Sequence, residues 1–137
     1  MRVYGLASAG VFLFFSATYA QAPVQQNGQA SYYSAGQSGH TKTANGDKVD
    51  PNSNTAASRD LPLGTKATVT DKATGRSTDV KVTDRGPTRQ DRKIDLSKKA
   101  AEDVGMTKTG TAPVAINAHP AKQTDPAVKQ QLEKQQK

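Results

Sequence analysis

Beyond Ala20 the chain carries very little with which to build a hydrophobic core. Its only aromatic residues there are Tyr32 and Tyr33, and Leu, Ile and Val together number 14 in 117 residues. With a formal charge of +7 over 137 residues, that composition resembles a chain that stays unfolded. It excludes a multidomain enzyme. What it permits is one small domain with a thin core, held largely by backbone hydrogen bonds. There is no Cys, so a disulfide scaffold, a zinc–thiolate centre, a Cys nucleophile and a lipid-modified N-terminal Cys are excluded as well.

The aromatic residues missing from the body of the chain are gathered at its start. Arg2 is followed by an uncharged, largely apolar run from Gly5 to Phe15, and then by Thr18-Tyr19-Ala20. A run of about a dozen residues has the length of a signal-peptide core and falls short of the roughly 20 needed to span a bilayer. Residues 1–20 are therefore expected to be an export signal cut before Gln21; an uncut membrane anchor is the alternative. The processed chain is expected to be soluble in the periplasm or outside the cell, with no stable membrane anchor. Loss of Arg2 takes its charge from +7 to +6.

Residues 21–27 read as a flexible lead-in, and Ala30-Ser31-Tyr32-Tyr33 as a short strand. Residues 34–60 read as an unusually long loop, of the kind that is either functional or disordered. Thr65–Thr70 and Thr78–Thr83 alternate apolar with polar residues and flank a turn containing Gly75, a hairpin signature that puts Ala67 and Val69 on one face and Val80 and Val82 on one face. Asp84-Arg85-Gly86-Pro87 is a tight turn. Ile94-Asp95-Leu96 is a strand end, Ser97 an N-cap, Lys98–Val104 a helix and Gly105 its C′ residue. Thr111–Ala118 reads as a last strand. Residues 119–137, rich in Lys and Gln, are expected to be mostly disordered, with Val128 and Leu132 too few to dock a helix. The domain spans 28–118. Its element order predicts a mainly β fold with one short helix, closed into a barrel because closure removes exposed edges.

Carboxylates are the main candidates for chemistry. Asp84 ends an alternating strand at a rigid turn, and Arg85 beside it could hold an anionic group. Asp47 lies in Thr43-Ala44-Asn45-Gly46-Asp47. Glycosidic bond cleavage needs an acid for the leaving oxygen, usually with a second carboxylate nearby. An Asp in such a turn also serves simply to cap backbone N–H groups. Asp50 and Asp95 read as turn and cap residues. His40 and His119 stand alone, so no metal site is expected, and no other cofactor is implied. No nucleic-acid motif accompanies the basic charge.

Seven motifs then occur in order. They are Ala30-Ser31-Tyr32-Tyr33, Thr43-Ala44-Asn45-Gly46-Asp47-Lys48-Val49-Asp50, Thr55-Ala56-Ala57, Leu61-Pro62-Leu63-Gly64-Thr65, Gly75-Arg76-Ser77, Val82-Thr83-Asp84-Arg85-Gly86-Pro87 and Ile94-Asp95-Leu96-Ser97. Together they resemble the RlpA-like septal lytic transglycosylases. The resemblance implies a six-stranded double-psi β-barrel with pseudo-twofold symmetry and a groove across it. It implies endolytic cleavage of the β-1,4 bond between N-acetylmuramic acid and N-acetylglucosamine in peptidoglycan, preferably stripped of stem peptides, leaving a 1,6-anhydro end. It places Asp84 at the family's essential aspartate and Asp47 where Glu is usual. Arg85, Tyr32, Tyr33, Asn45 and Ser58 would line the substrate, Ser58 standing where many members carry His. Two alternatives accompany this reading: a non-catalytic, expansin-like module that binds or loosens glycan, and a secreted effector that binds a protein with the same barrel.

Overall fold

The computed structural model describes residues 5, 10, 11, 22–33, 42–48, 50 and 52–137. Most of the expected signal sequence, His40 and the segment 34–41 lie outside the described residues. Six strands close into a ring: β1 (Val24–Tyr33), β5 (Ile94–Ser97), β2 (Thr55–Ser58), β4 (Ser77–Asp84), β3 (Lys66–Asp71) and β6 (Thr111–Ala118), which returns to β1. Neighbours are antiparallel except β1/β5 and β2/β4, which are parallel. A barrel leaves no unpaired edge.

The ring has a pseudo-twofold axis that carries β1, β2 and β3 onto β4, β5 and β6. The registers obey it. The pairs Val69↔Ile116 and Ala57↔Asp95 each map onto themselves, and Ala30↔Ile94 maps onto Val82↔Ala56. This is the symmetry that the family resemblance implies.

The core is as thin as the composition requires. Ala30, Ala56, Ala67, Val69, Val80, Val82, Ile94, Leu96, Val114 and Ile116 point inward and are all buried. The hairpin β3–β4 forms where the period-two pattern puts it. Ser97 caps helix α1 (Lys98–Val104), its Oγ accepting from the Ala100 amide, and Gly105 ends the helix in the left-handed region at φ 80°. Ala100, Ala101 and Val104 of α1 join the core.

Three expectations change. Thr55–Ser58, inside the stretch expected to be a long loop, is strand β2, because its backbone groups are paired by β4 on one side and β5 on the other. The lead-in is strand from Val24 onward, because β6 runs on to Ala118 and its backbone groups are paired by residues 24–27. The β1 backbone also comes so close to the segment before β5 that a Cβ at Gly28 would lie 2.7 Å from the Lys93 Cβ.

The tail is ordered. A 3-10 turn (Pro120–Lys122) leads to helix α2 (Pro126–Gln135), capped by the Asp125 carboxylate on the Ala127 amide. Val128 and Leu132, one turn apart, are 3% and 0% exposed. Val128 packs over Gly64 of the β2–β3 turn, where a Cβ would stand in ordinary contact with Val128 Cγ2 at 3.4 Å. Gln135 Nε2 also donates to the Asp60 carbonyl at 2.8 Å. Among the described residues no helix is long and apolar enough to cross a membrane.

Candidate active site

The site begins with a β-bulge. Strand β4 pairs with β2 at Val82↔Ala56, then at Asp84↔Ala57, so Thr83 is an extra residue with no partner in the ladder. In unbroken alternation, with Val82 inside, Thr83 would face out and Asp84 in. The bulge reverses this: Thr83 is 2% exposed and Asp84 faces outward.

Asp84 thereby joins one register row on the outer face of four strands. Across β4, β2, β5 and β1 the row reads Asp84, Ala57, Asp95, Ser31. Two carboxylates face the same strip with only a methyl side chain between them. One intervening strand sets their backbones about 9–10 Å apart, and their side chains can approach across Ala57.

The environments of these carboxylates differ. Asp95 is half-buried and accepts from Ser31 Oγ at 3.0 Å. Burial pushes its carboxyl above the usual range, against the opposing pull of Ser31 and Arg92. Asp84 is more open, with Oδ1 accepting from the Arg85 amide at 2.9 Å. In the next row Tyr33 shares a hydrogen bond of 2.8 Å with Thr55 Oγ1. Burial raises the Tyr33 phenol, and the negative charges of Asp95 and Asp84 raise it further, so the phenol senses both carboxylates.

A family model described as lytic transglycolase matches residues 25–116. The chain belongs to this family. It is 46% identical over 90 residues to a probable endolytic peptidoglycan transglycosylase RlpA of Nostoc sp., covering 65% of this chain and 24% of that one. It is 44% identical over 90 residues to the RlpA endolytic peptidoglycan transglycosylase of Campylobacter jejuni, covering 66% and 32%. With that of Neisseria meningitidis serogroup A it shares 43% over 91 residues, covering 66% and 38%. The chain thus spans well under half the length of these relatives. Among solved structures, the Streptomyces papain inhibitor superposes with a TM-score of 0.56 at 21% identity, covering 72% of this chain and 96% of that one. The expansin of Clavibacter michiganensis gives 0.54 at 24%, covering 69% and 50%. Both share the barrel.

Within this lytic transglycolase domain the other candidate residues fall into three groups. Asp47 and Asn45 sit on the 42–48 loop, which docks beside Asp84 through the Asn45 amide on the Thr83 carbonyl at 3.0 Å. Asn45 Nδ2 at 3.1 Å and Lys81 Nζ at 3.3 Å both donate to Asp47 Oδ2. They hold the Asp47 carboxyl below the usual range, Asn45 contributing most. Asp47 is therefore an anion at neutral pH, and Asn45 is the residue that orients it.

Arg85 and Tyr32 are structural in large part. Arg85 Nη1 donates to the carbonyls of Ser58 (3.1 Å) and Leu61 (2.6 Å). The guanidinium is exposed and has no carboxylate partner among the described residues, so it remains a fixed cation beside Asp84. Tyr32 packs against the core, with its hydroxyl on the Thr107 carbonyl at 3.3 Å. Only Tyr33 of the pair borders the carboxylate row.

Ser58 does not face the carboxylate row. It is 1% exposed, and its Oγ accepts from the amides of Asp60 (3.2 Å) and Leu61 (3.1 Å). Its hydroxyl shapes the β2–β3 turn and is out of reach of a substrate.

Three residues were not singled out from sequence as part of the site. Asp95 is signalled by a charged residue alternating with Ile94 and Leu96, which places it on the outer face. Arg59 fastens the 85–93 loop, Nη1 donating to the Pro87 and Arg89 carbonyls and Nη2 to that of Arg92, at 2.9–3.0 Å. Lys81 anchors Asp47. Neither Arg59 nor Lys81 has a local signal, because their partners are remote in sequence.

Proposed function

We propose that this domain is an endolytic lytic transglycosylase. It cleaves the N-acetylmuramic acid–N-acetylglucosamine β-1,4 bond of peptide-stripped peptidoglycan to leave 1,6-anhydro ends. The observation that carries the reading is the row Asp84–Ala57–Asp95. Its carboxylates face one strip from opposite sides of a small floor, and one of them is pushed toward the protonated form. The relatives named as peptidoglycan transglycosylases support it.

Asp95, whose carboxyl burial pushes toward the protonated form, donates to the glycosidic oxygen as the C1–O4 bond breaks. Asp84 accepts the proton of the C6 hydroxyl as O6 attacks C1. The bond lost at C1 is replaced by the bond gained, so no water is consumed, and proton exchange with solvent resets the pair. Asp47 and Asp84 supply negative charge near the developing oxocarbenium ion, and Tyr33 borders the sugar. The protein works outside the cytoplasm, with residues 1–20 as its export signal. Mass spectrometry of the exported protein should find Gln21 at the N-terminus.

The test is digestion of amidase-treated peptidoglycan with the purified protein, read by mass spectrometry. Anhydromuramyl products are expected from the parent and should be lost in both Asp84→Asn and Asp95→Asn. Folded parent protein that binds the glycan saturably and yields no such product would instead establish the glycan-binding, wall-loosening reading. The tie of the short Asp47 side chain to Lys81 favours that second reading, and an expansin of this fold has been crystallised with cellohexaose.

A further inference from the structure

A concave site lies on the outer face of the β3–β4 hairpin, and Lys81 in its lining stands on the strand that ends at Asp84. Its volume is about 300 Å³, within the range of small-ligand sites. Lys66, Lys81, Lys122, His119, Asn117 and Asn54 contribute to its lining. Asp79 is the acidic member, and its Oδ1 accepts from Thr68 Oγ1 at 2.6 Å.

The basic residues are gathered at a cost. Lys66 and Lys81 are directly opposite in the antiparallel register, on the same face. Like charges in that relation repel. A third lysine is fastened beside them. The Gln123 side chain imitates a strand, accepting from the Lys66 amide and donating to the Lys66 carbonyl, both at 2.8 Å. It also donates to the His119 carbonyl at 3.0 Å. This bracket carries His119 and Lys122 to the rim. Among the described residues, Lys66 and Lys122 have no carboxylate partner, while Lys81 holds Asp47. Three lysines thus line one concavity with a single carboxylate, Asp79, among them, and among the described residues two of the three form no ion pair.

We propose that this pocket is an anion subsite, which takes a carboxylate borne on a sugar of the strand whose scissile bond lies at Asp84 and Asp95. The inference rests on the glycan reading of the groove. Lys81 joins the two sites: it lines the pocket and stands three residues before Asp84 on β4, a span of about 10 Å along the strand. That span is comparable to one disaccharide repeat, so the subsite lies where the neighbouring acidic sugar of an alternating glycan would fall.

The test is calorimetric binding of peptide-free glycan fragments to the full chain. The same fragments with every carboxyl converted to its methylamide serve as the neutral probe. The Lys66→Ala/Lys122→Ala variant is expected to lose at least fivefold in affinity for the acidic fragments and to bind the neutral ones as the parent does. Its melting temperature should be equal or higher, since Lys66→Ala relieves the opposition to Lys81. Equal binding of both probes by parent and variant overturns the subsite and leaves the glycan groove standing. Failure of the parent to bind either probe removes both. Tighter binding of a glycerol-phosphate polymer than of acidic glycan, abolished by the same substitutions, overturns the assignment to a sugar carboxylate.

Discussion

Thr83→Val tests the bulge that turns Asp84 outward. Thr83 is 2% exposed, and its Oγ1 has no hydrogen-bond partner among the described residues. A buried hydroxyl without a partner costs about 1–3 kcal/mol relative to solvent. Valine keeps the β-branched shape and replaces the hydroxyl with a methyl in the same space. The backbone is undisturbed, so the Asn45 amide keeps its bond to the residue 83 carbonyl. The expected gain is about 1–2 kcal/mol at neutral pH, and for a domain of this size each kcal/mol raises the melting temperature by roughly 4–8 °C. Thermal and urea unfolding followed by circular dichroism would measure it. Product formation on stripped glycan should stay within about twofold of the parent, because the hydroxyl does not reach the groove. An unchanged or lower melting temperature would refute the claim that the hydroxyl is idle. Higher stability with lost activity would refute the claim that it faces away from the reacting groups.

Asp95→Asn should abolish product and raise stability at neutral pH. Burial lifts the folded-state value of Asp95 above its ordinary one. The native state therefore binds the proton more tightly, and ionisation of Asp95 removes stability as pH rises through the folded value. The variant's advantage should vanish below about pH 4, where the carboxyl is protonated in both states; an advantage that persists there contradicts the assignment. Ser58→Ala should cost about 1–2 kcal/mol in urea unfolding through the loss of two amide partners, with the affinity for glycan unchanged. Leu132→Ala should cost about 2–4 kcal/mol; a loss under about 0.5 kcal/mol would mean that α2 does not dock. Asp47→Glu, the residue that the family resemblance implies at this position, should give equal or greater product yield by mass spectrometry.

What could be read from the chain follows the range of the forces involved. The β3–β4 hairpin, helix α1 with its Ser97 and Gly105 ends, and β6 are legible because period, cap and turn chemistry act within about ten residues. The parallel pairs β1/β5 and β2/β4 join segments far apart, and no local pattern names their partners. The tail shows the same limit. The spacing of Val128 and Leu132 suggests a helix, but Val128 packs beside Gly64, in a turn 64 residues earlier. Asp84 is legible as a candidate from the rigid Arg85-Gly86-Pro87 turn that follows it and from the family resemblance. Taken alone, the alternation of Val80, Val82 and Asp84 would have placed it in the core, since nothing in Val82-Thr83-Asp84 marks Thr83 as the extra residue.

The pseudo-twofold axis explains why the carboxylates stand where they do. It passes between β2 and β5 and maps the row onto itself, so Ser31 is equivalent to Asp84 and Ala57 to Asp95. A fully symmetric row would carry acids at 57 and 95 on adjacent strands, at 31 and 84 three strands apart, at all four positions, or at none. Acids on adjacent strands would repel, because neighbouring strands lie under 5 Å apart; acids at 31 and 84 alone would stand about 14 Å apart, at the two ends of the row. The chain takes one acid from each equivalent pair, and it takes them from alternate strands. Asp84 and Asp95 are then kept apart by Ala57, and the remaining position, Ser31, faces Asp95 and donates to it. The bulge at Thr83 has no counterpart in the Ala30–Ser31 stretch of β1, where the ladder with β5 is regular. It turns Asp84 outward, whereas Asp95 reaches the same face in regular alternation. Breaking the symmetry of the barrel at Thr83 and at Ala57 makes two equivalent halves into one site with two different carboxyl groups.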